Sequence, residues 1–162
     1  MQQADGDRSG TLVGGLAWRR LTAIDGAVSA LLSGVNFCVL ATLRKDGAVH
    51  SIPVWVDTDG ESVLLNSTEG RGWVRNVDRD RRVTCAIMNA ENPYEFVEIR
   101  GRVVERTYEG GNEHIHRLAK KYLGESEYPW LQPGERRILF RVAPETILHM
   151  QPGSPELKAS DA

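Results

Sequence analysis

The chain has 162 residues, which suits one domain of ordinary size and leaves little room for a second. Its 20 Lys and Arg residues against 22 Asp and Glu residues give a net charge of −2, which argues against a general nucleic-acid coat or a polybasic membrane-surface protein. No apolar run approaches the ~20 residues that cross a bilayer, and the polar N-terminus shows no secretory signal. We therefore expect a soluble, cytoplasmic protein that binds neither nucleic acid nor membrane.

The composition predicts a central domain over residues 18–150 with a flexible part at each end. Gly, Gln, Asp and Ser dominate the N-terminal arm, residues 1–17, and the C-terminal tail, residues 151–162, contains Pro and Ser. The domain opens with a helix, because apolar residues after Thr22 recur with helical spacing until Gly34.

A β-hairpin is predicted next. Residues 37–43 and 48–57 alternate as strands around an Asp46-Gly47 turn, and a further strand follows at 62–66. Pro53 interrupts the second strand, which favours an edge position or a bulge, because proline has no N–H to donate to a neighbour.

Strands and helices alternate through the rest of the domain. We predict helices at 70–77 and 112–123, and strands at 83–88, 96–105, 137–142 and 146–150. In the second of these helices, Asn112 is expected to cap the start and Gly124 to end the last turn. Six to seven short antiparallel strands with about three helices predict a mainly β fold that closes into a small barrel.

An anion site is predicted where a Ser-, Thr- and Gly-rich loop, residues 67–72, leads from a strand into a short helix. The free N–H groups of a first helical turn attract anions, and glycines let an oxyanion approach. Arg71, Arg75 and Arg79 follow with helical spacing, and residues 71–82 carry five arginines and two aspartates, a local charge of +3. The pattern indicates a phosphate site; the alternative is an ordinary capped helix with a solvated arginine face.

Other candidate residues have simpler interpretations. Cys38 and Cys85 lie in apolar strands and are expected to be buried thiols. His114 and His116 point in different directions on a helix, so we expect them to face solvent without sharing a metal, and His50 to line a cavity or a polar face. Some aromatic residues are candidates either for the core or for the walls around a planar ligand: Trp55, Trp73, Tyr94 and Trp130. The sequence assigns no catalytic side chain and no metal ligands.

Short motifs between residues 31 and 150 resemble the pyridoxamine 5'-phosphate oxidase-like superfamily of FMN-binding split barrels. Within it, the chain is most similar to the branch of flavin/deazaflavin oxidoreductases that uses coenzyme F420. The motifs are Val39-Leu40-Ala41-Thr42 before Asp46-Gly47, Ser51-Ile52-Pro53-Val54-Trp55, Arg75-Asn76 with Asp80-Arg81-Arg82-Val83, Glu91-Asn92-Pro93-Tyr94, Glu98-Ile99-Arg100-Gly101-Arg102-Val103, and Leu118-Ala119-Lys120-Lys121-Tyr122-Leu123-Gly124 with Tyr128-Pro129.

This resemblance implies a split β-barrel homodimer with two cofactor sites at the subunit interface. The second strand of the hairpin would lie along the flavin-like ring, and the loop with Arg71 would reach the phosphate. Many relatives carry a basic pair where this chain has Gly72 and Trp73, so Arg71 would take over the phosphate and Trp73 would stack on the ring or on an extended tail. Trp130 would come from the partner subunit. The implied cofactor-binding residues are Ser51, Pro53, Val54, Trp55, Asn66, Ser67, Thr68, Arg71, Gly72, Trp73, Arg75, Asn76, Met88 and Trp130.

The resemblance also implies an activity on a small-molecule substrate. The leading hypothesis is an F420H2-dependent reductase that transfers a hydride from the reduced deazaflavin to an electron-poor organic acceptor. Two alternatives remain: an FMN-dependent oxidoreductase of the same fold, and a non-enzymatic protein that binds a flavin, haem or tetrapyrrole.

Overall fold

The structure is a computed structural model that describes residues 11–12 and 16–152. Within these ranges there are nine strands: β1 (Thr11–Leu12), β2 (Leu16–Leu21), β3 (Cys38–Leu43), β4 (Val49–Val54), β5 (Asp57–Thr58), β6 (Val63–Ser67), β7 (Arg82–Met88), β8 (Phe96–Thr107) and β9 (Ile138–Pro152). The helices are α1 (Gly26–Ser33), α2 (Gly72–Arg79) and α3 (Gly111–Leu123). In the described part of the chain, no helix is long and apolar enough to cross a membrane. Most of the predicted arm and tail lies outside the described residues.

The strands form one antiparallel sheet that curls into a split barrel. Pairing runs in the order β1-β2-β9-β8-β7-β3-β4, and β9 also pairs with β6, which pairs with β5. Because β4 continues through Trp55 and Val56 into β5, the path from β3 through β4, β5, β6, β9, β8 and β7 returns to β3. The predicted mainly β split barrel is thus confirmed. The sequence missed β1, β2 and β5, and it divided β9 in two.

The long strand β9 passes a proline without ending. Pro144 lies opposite Gly101, at a register shift of β8 between Arg100 and Gly101. A Cβ atom on Gly101 would lie 2.1 Å from the carbonyl oxygen of Ala143, so this close approach requires glycine. The irregularity keeps β9 continuous, and the strand therefore pairs with β6 near its start and with β2 near its end.

The barrel interior is filled by the inward-facing side chains of the strands. The largest fully buried ones include Leu40, Leu65, Ile87, Ile99, Phe140 and Ile147. Cys38 and Cys85 lie among them as buried free thiols, which confirms the prediction from sequence. Burial of this apolar surface is the main stabilising contribution to the fold, at about 25 cal/mol for each Å² removed from water.

The helix ends follow local hydrogen bonds. The carboxylate of Asp25 accepts the backbone N–H of Val28 at 3.0 Å, so α1 begins at Gly26 and not at Thr22. Gly110 occupies the N-cap of α3, and the predicted cap by Asn112 is wrong: Asn112 Oδ1 instead accepts the backbone N–H of Arg137 at 2.9 Å. Asn112 thereby joins α3 to the segment that precedes β9.

Candidate functional site

A cavity opens beside the split in the barrel, where β4 runs into β5. Its first part, the aromatic compartment of about 310 Å³, is lined by Phe37, Pro53, Val54, Trp55, Asn66, Ile115, Leu118, Tyr128, Trp130 and Arg137. The adjacent polar compartment, of about 550 Å³, is lined by Thr68, Arg71, Tyr128, Trp130, Gln132, Pro133, Gly134, Glu135 and Arg137. Because three wall residues belong to both compartments, one elongated molecule has access to both.

The end of β4 supplies one wall of the aromatic compartment, through Pro53, Val54 and Trp55. β4 pairs with β3, and within the described residues it has no partner on its other side, so Pro53 lies at a sheet edge, as predicted. The Trp55 indole stacks on Tyr122, with ring centroids 5.0 Å apart and planes at 6°, and Tyr128 meets it edge-on at 5.9 Å.

Hydrogen bonds behind this wall fix its position. The hydroxyl of Tyr122 donates to the carbonyl of Asn36 at 2.6 Å and accepts the N–H of Val56 at 3.1 Å. Burial raises the pKa of Tyr122 to about 12, so the hydroxyl stays protonated at neutral pH. Lys121 Nζ donates to the carbonyls of Leu32 and Val56, both at 2.6 Å. The neighbour on which Trp55 stacks is therefore held to the backbone of the barrel.

Arg137 lies at the junction of the two compartments, with only 10% of its side chain exposed. Its Nε donates to Asn66 Oδ1 at 2.8 Å, its Nη1 donates to Glu135 Oε1 at 2.8 Å, and its guanidinium lies 5.3 Å from the ring centroid of Tyr128. Asn66 also donates through Nδ2 to the carbonyl of Gly111 at 2.8 Å. Both ends of the Asn66 amide are thus used within the protein, and the residue orients Arg137.

Glu135 is the acidic partner of Arg137. Burial raises the pKa of Glu135, but hydrogen bonds from the Gln132 N–H and from Arg137, together with the charge of Arg71, outweigh burial and lower the pKa below its ordinary value. Glu135 is therefore ionised at neutral pH and offsets one positive charge in the polar compartment.

The two histidines of α3 lie in different environments. His114 is fully buried, with Nδ1 3.3 Å from Asn66 Nδ2, and burial followed by nearby cations lowers its pKa to about 4. The expectation that it faces solvent is wrong, because its position on α3 turns it toward the barrel. His116 is partly exposed and accepts the N–H of Tyr128 at 2.9 Å through Nδ1, which anchors the segment that carries the cavity aromatics.

The loop before α2 brings Thr68 and Arg71 to the wall of the polar compartment. Arg71 is exposed and occupies the N-cap position, one residue before the helix. Between these two residues, Glu69 accepts hydrogen bonds from Arg106 and Tyr108 of the neighbouring β8 region. The loop is therefore held against the barrel while Arg71 remains at the cavity.

Most of the arginines after Arg71 serve the fold. Arg75 donates to the carbonyl of Gly70, Arg79 to that of Leu43 and Arg81 to that of Val103, and Arg82 pairs with Asp80. The structure thus does not bring Arg75 to the cavity wall. Of the five arginines in residues 71–82, all of which the structure describes, only Arg71 lines the cavity.

The remaining residues of α2 are also structural. Trp73 is 4% exposed and packs against Phe140 with ring centroids 4.7 Å apart, so the expectation that it stacks on a ligand is wrong. A Cβ atom on Gly72 would lie 3.2 Å from Cε1 of His50, so this glycine makes room for His50. Asn76 is a buried residue of α2, and its Nδ2 donates to the hydroxyl of Thr42 in β3.

Three further residues of the predicted site lie in different places. Ser67 is buried at the end of β6, whereas Ser51 and Met88 are exposed on the outside of the sheet. We define the outer sheet face by residues of β4, β3 and β7 that point away from the barrel: Val39, Ala41, Val49, Ser51, Ala86 and Met88. Trp130, by contrast, lines both compartments of its own chain, edge-on to Tyr128 at 5.5 Å.

Sequence reasoning missed Glu135 and Arg137 as site residues. The signal that was available is the Pro133-Gly134 turn followed directly by charged residues and then by a buried strand. Binding residues are disproportionately on loops, yet this pattern alone does not distinguish Arg137 from the exposed Arg136.

Comparisons with known proteins agree with the architecture. The model of the family described as "Pyridoxamine 5'-phosphate oxidase" matches residues 24–151. Among solved structures, an F420 reductase is similar with 25% identity and a TM-score of 0.65, over 74% of this chain and 94% of the other. Two others share the fold: the FAD and heme binding protein from Mycobacterium smegmatis, with 14% identity, a TM-score of 0.62 and coverage of 85% and 75%, and General Stress Protein 26 from Bacillus anthracis, with 17% identity, a TM-score of 0.57 and coverage of 76% and 90%. No curated protein matches the chain. Since the family model covers well over half of the sequence, the chain belongs to the pyridoxamine 5'-phosphate oxidase family.

Proposed function

We propose that the protein is an F420H2-dependent reductase, which transfers a hydride from the reduced deazaflavin to an electron-poor organic acceptor. Membership of the pyridoxamine 5'-phosphate oxidase family supports the broader assignment, a flavin- or deazaflavin-related oxidoreductase. The similarity to an F420 reductase over nearly all of that protein supports F420 as the cofactor.

One observation carries the proposal: the aromatic compartment and the polar compartment belong to one cavity. A planar ring system needs flat apolar walls, which Pro53, Trp55 and Tyr128 supply. A phosphate-bearing tail needs hydroxyl and guanidinium donors, which Thr68 and Arg71 supply. Each compartment also falls near the range of roughly 300–1,000 Å³ that is typical of ligand pockets. The residues present therefore fit a cofactor of this type.

The side chains of the cavity bind and orient. When bound, a reduced deazaflavin supplies the hydride and both electrons of the reduction. Trp55 and Tyr128 offer flat faces that exclude water, and Arg71 attracts negative charge. We assign no proton donor to the chain: the Tyr122 hydroxyl is bonded to backbone groups, and His114 is neutral and buried behind Asn66.

We further propose that the protein is a homodimer that uses the outer sheet face. Val39, Val49 and Met88 are 46%, 64% and 55% exposed there, and apolar side chains clustered on a sheet face mark an interaction surface. Ser51 and Met88 also belong to the implied cofactor site but lie away from the cavity of their own chain. A second subunit whose cavity faces this surface would bring the two groups of residues together.

Light scattering during size-exclusion chromatography tests the dimer. The wild type should elute with the mass of two chains, and Val39→Lys should shift the mass toward one chain. Leu123→Lys changes a similarly exposed apolar residue at the end of α3 and should leave the mass unchanged. A single-chain mass for the wild type would contradict the dimer.

Titration of the purified protein with F420 and with FMN tests the cofactor. Binding of F420, followed by oxidation of F420H2 in the presence of quinone or enone acceptors, is the expected result. Binding of FMN without F420 would contradict the proposal and favour an FMN-dependent oxidoreductase. Binding of either cofactor without turnover of any acceptor would favour a non-enzymatic binding protein.

A further inference from the structure

The polar compartment contains a carboxylate in a place that otherwise suits an anion. Of the described residues that line it, three are charged: Arg71, Glu135 and Arg137. Arg137 and Glu135 are paired at 2.8 Å, with 10% and 15% of their side chains exposed. A guanidinium with so little exposure requires an anionic or polar partner, because an unpaired buried charge is strongly destabilising.

The two members of this pair are held very differently. Arg137 is the residue before β9, its backbone N–H donates to Asn112, and its Nε donates to Asn66, which is itself bonded to Gly111 at the start of α3. The guanidinium is thus fixed from behind by α3 and β6, and it stays in place without Glu135.

Glu135, in contrast, reaches Arg137 from an exposed turn. Residues 132–134 are exposed, Gly134 has a left-handed φ of 75°, and the backbone N–H of Glu135 bonds to the carbonyl of Gln132 at 3.0 Å. The Glu135 carboxylate also accepts the N–H of Gln132 at 3.0 Å, a contact within the same turn. Among the described residues, Arg137 is the only one outside the turn that bonds to the Glu135 carboxylate, so the carboxylate can leave without unfolding an element of the barrel.

We propose that Glu135 is an internal anion that competes for Arg137 with a phosphate or carboxylate group of the molecule bound in the cavity. The proposal rests on the proposed function only in so far as a flavin-type cofactor brings that group. Glu135 accepts one hydrogen bond from Arg137, through Nη1. Guanidinium N–H groups bind phosphate oxygens as well as carboxylate oxygens, so an incoming oxyanion can replace Glu135 at Nη1. Arg71, on the facing loop, provides a second positive charge for the incoming group.

The opposite role for Glu135 makes the opposite prediction. If Glu135 serves to orient Arg137 for a ligand, removing its charge leaves the guanidinium less well placed, and ligand binding weakens. If Glu135 competes, removing its charge frees the guanidinium, and anions bind more tightly. The sign of the change in affinity therefore separates the two roles.

The test compares FMN, which has a phosphate, with riboflavin, which lacks one, on the wild type and on Glu135→Gln. The amide keeps the size of the side chain and one acceptor oxygen. We expect FMN to bind about tenfold more tightly to the variant, while the affinity for riboflavin changes little. Glu61→Gln, which removes an exposed charge from the turn before β6, should change neither affinity.

Inorganic phosphate provides a second arm that needs no cofactor. Phosphate should raise the thermal unfolding midpoint of Glu135→Gln more than that of the wild type, with chloride at equal ionic strength as the reference. If phosphate stabilises Glu135→Gln more than the wild type while the ratio of FMN to riboflavin affinity stays the same in both proteins, the result supports the competition. It then means that a ligand other than FMN brings the anionic group. If no flavin or F420 binds any form, the proposed function fails, and the phosphate arm still decides the role of Glu135.

Two results would overturn the proposal. One is weaker binding of FMN to Glu135→Gln with riboflavin unaffected, which identifies Glu135 as an orienting residue. The other is the absence of any gain in both arms. Arg137→Lys keeps the positive charge but not the guanidinium donors. Combined with Glu135→Gln, it should abolish the gain in FMN affinity. A gain that persists in the double variant would place the anion elsewhere.

Discussion

Two segments that contain arginines border the cavity, and the arginines have different roles in the two segments. The α2 segment, residues 71–82, contains five arginines, of which four are bonded to backbone carbonyls or to Asp80. The turn segment, residues 132–137, contains two, and one of them, Arg137, lies at the centre of the cavity wall.

The difference shows that the density of charge along a sequence does not measure the charge that a ligand meets. The guanidinium groups that follow Arg71 are used to tie α2 to its neighbours. Arg137 reaches the cavity wall because Asn66 bonds only its Nε, while its Nη1 pairs with Glu135, which also lines the cavity. We therefore expect substitutions in the α2 segment to change mainly stability, and those in the turn segment to change binding as well.

The largest expected effect tests the structural character of the α2 segment. Trp73→Ala should lower the free energy of unfolding by about 3–5 kcal/mol, because it removes a buried indole that packs on Phe140. Trp130→Ala, at a residue that is 57% exposed in the cavity wall, should cost about 1 kcal/mol or less and instead weaken cofactor binding. Urea unfolding together with cofactor titration measures both. A stable Trp73→Ala protein with impaired binding would contradict the comparison.

Arg137→Met should have the next largest effect. The substitution leaves Asn66 Oδ1 without this donor and removes the cationic partner of the Glu135 carboxylate, which keeps only the N–H of Gln132, so we expect a loss of about 2–4 kcal/mol in the free energy of unfolding. Arg75→Met removes an exposed bond to one carbonyl and should cost less than about 1 kcal/mol. Equal losses in urea unfolding would mean that the two segments do not differ in this way.

The fold was largely predictable because its signals are local. Alternating strands, the Asp46-Gly47 turn and the glycine that ends α3 each depend on residues close together in the sequence. The continuity of β9 was not, because it depends on Gly101 of another strand accommodating Pro144. The strand β2 was missed because its residues alternate weakly and are ordered by pairing with β9.

The candidate site was predictable only in part, for the same reason. Pro53 to Trp55 and the Thr68–Arg71 loop carry recognisable motifs, and they line the cavity. The role of Arg137 depends on Asn66, 71 residues earlier in the chain, and on its burial below α3. His114 was wrongly expected to face solvent, because the sequence of a helix does not by itself show which of its sides packs against the barrel.

The free energy of unfolding should depend on pH through His114, which lies next to Asn66, the residue that orients Arg137. His114 has a pKa of about 4 in the folded protein and about 6.5 when unfolded, so the unfolded chain binds more protons between these values. Stability should therefore fall as the pH drops from 6.5 to 4, by about 2–3 kcal/mol from this residue, and level off below pH 4 as His114 becomes protonated in the folded protein too. Protonation also turns Nδ1 from an acceptor into a donor facing Asn66 Nδ2, which opposes the orientation of Asn66.

Urea unfolding of the wild type and of His114→Gln at several pH values isolates this contribution. His149 is also buried with a lowered pKa, but it titrates in both proteins and cancels in the difference. The variant should show a smaller loss of stability between pH 6.5 and 4 than the wild type. Parallel curves for the wild type and His114→Gln would exclude His114 as the source.

The smallest expected effect concerns the single residue of the α2 segment that faces the cavity. Arg71→Ala should weaken the binding of FMN by about 1–2 kcal/mol, because it removes a charge-assisted contact to the phosphate, and leave riboflavin binding and unfolding nearly unchanged. Arg75→Ala, one helical turn on, should change FMN binding little, since its guanidinium is bonded to Gly70. If both substitutions weaken FMN binding equally, the positive charge of the whole segment attracts the phosphate. The distinction between arginines that serve the fold and arginines that serve binding would then be wrong for the α2 segment. A loss confined to Arg71, opposite in sign to the gain expected from Glu135→Gln, would place the anionic group between Arg71 and Arg137.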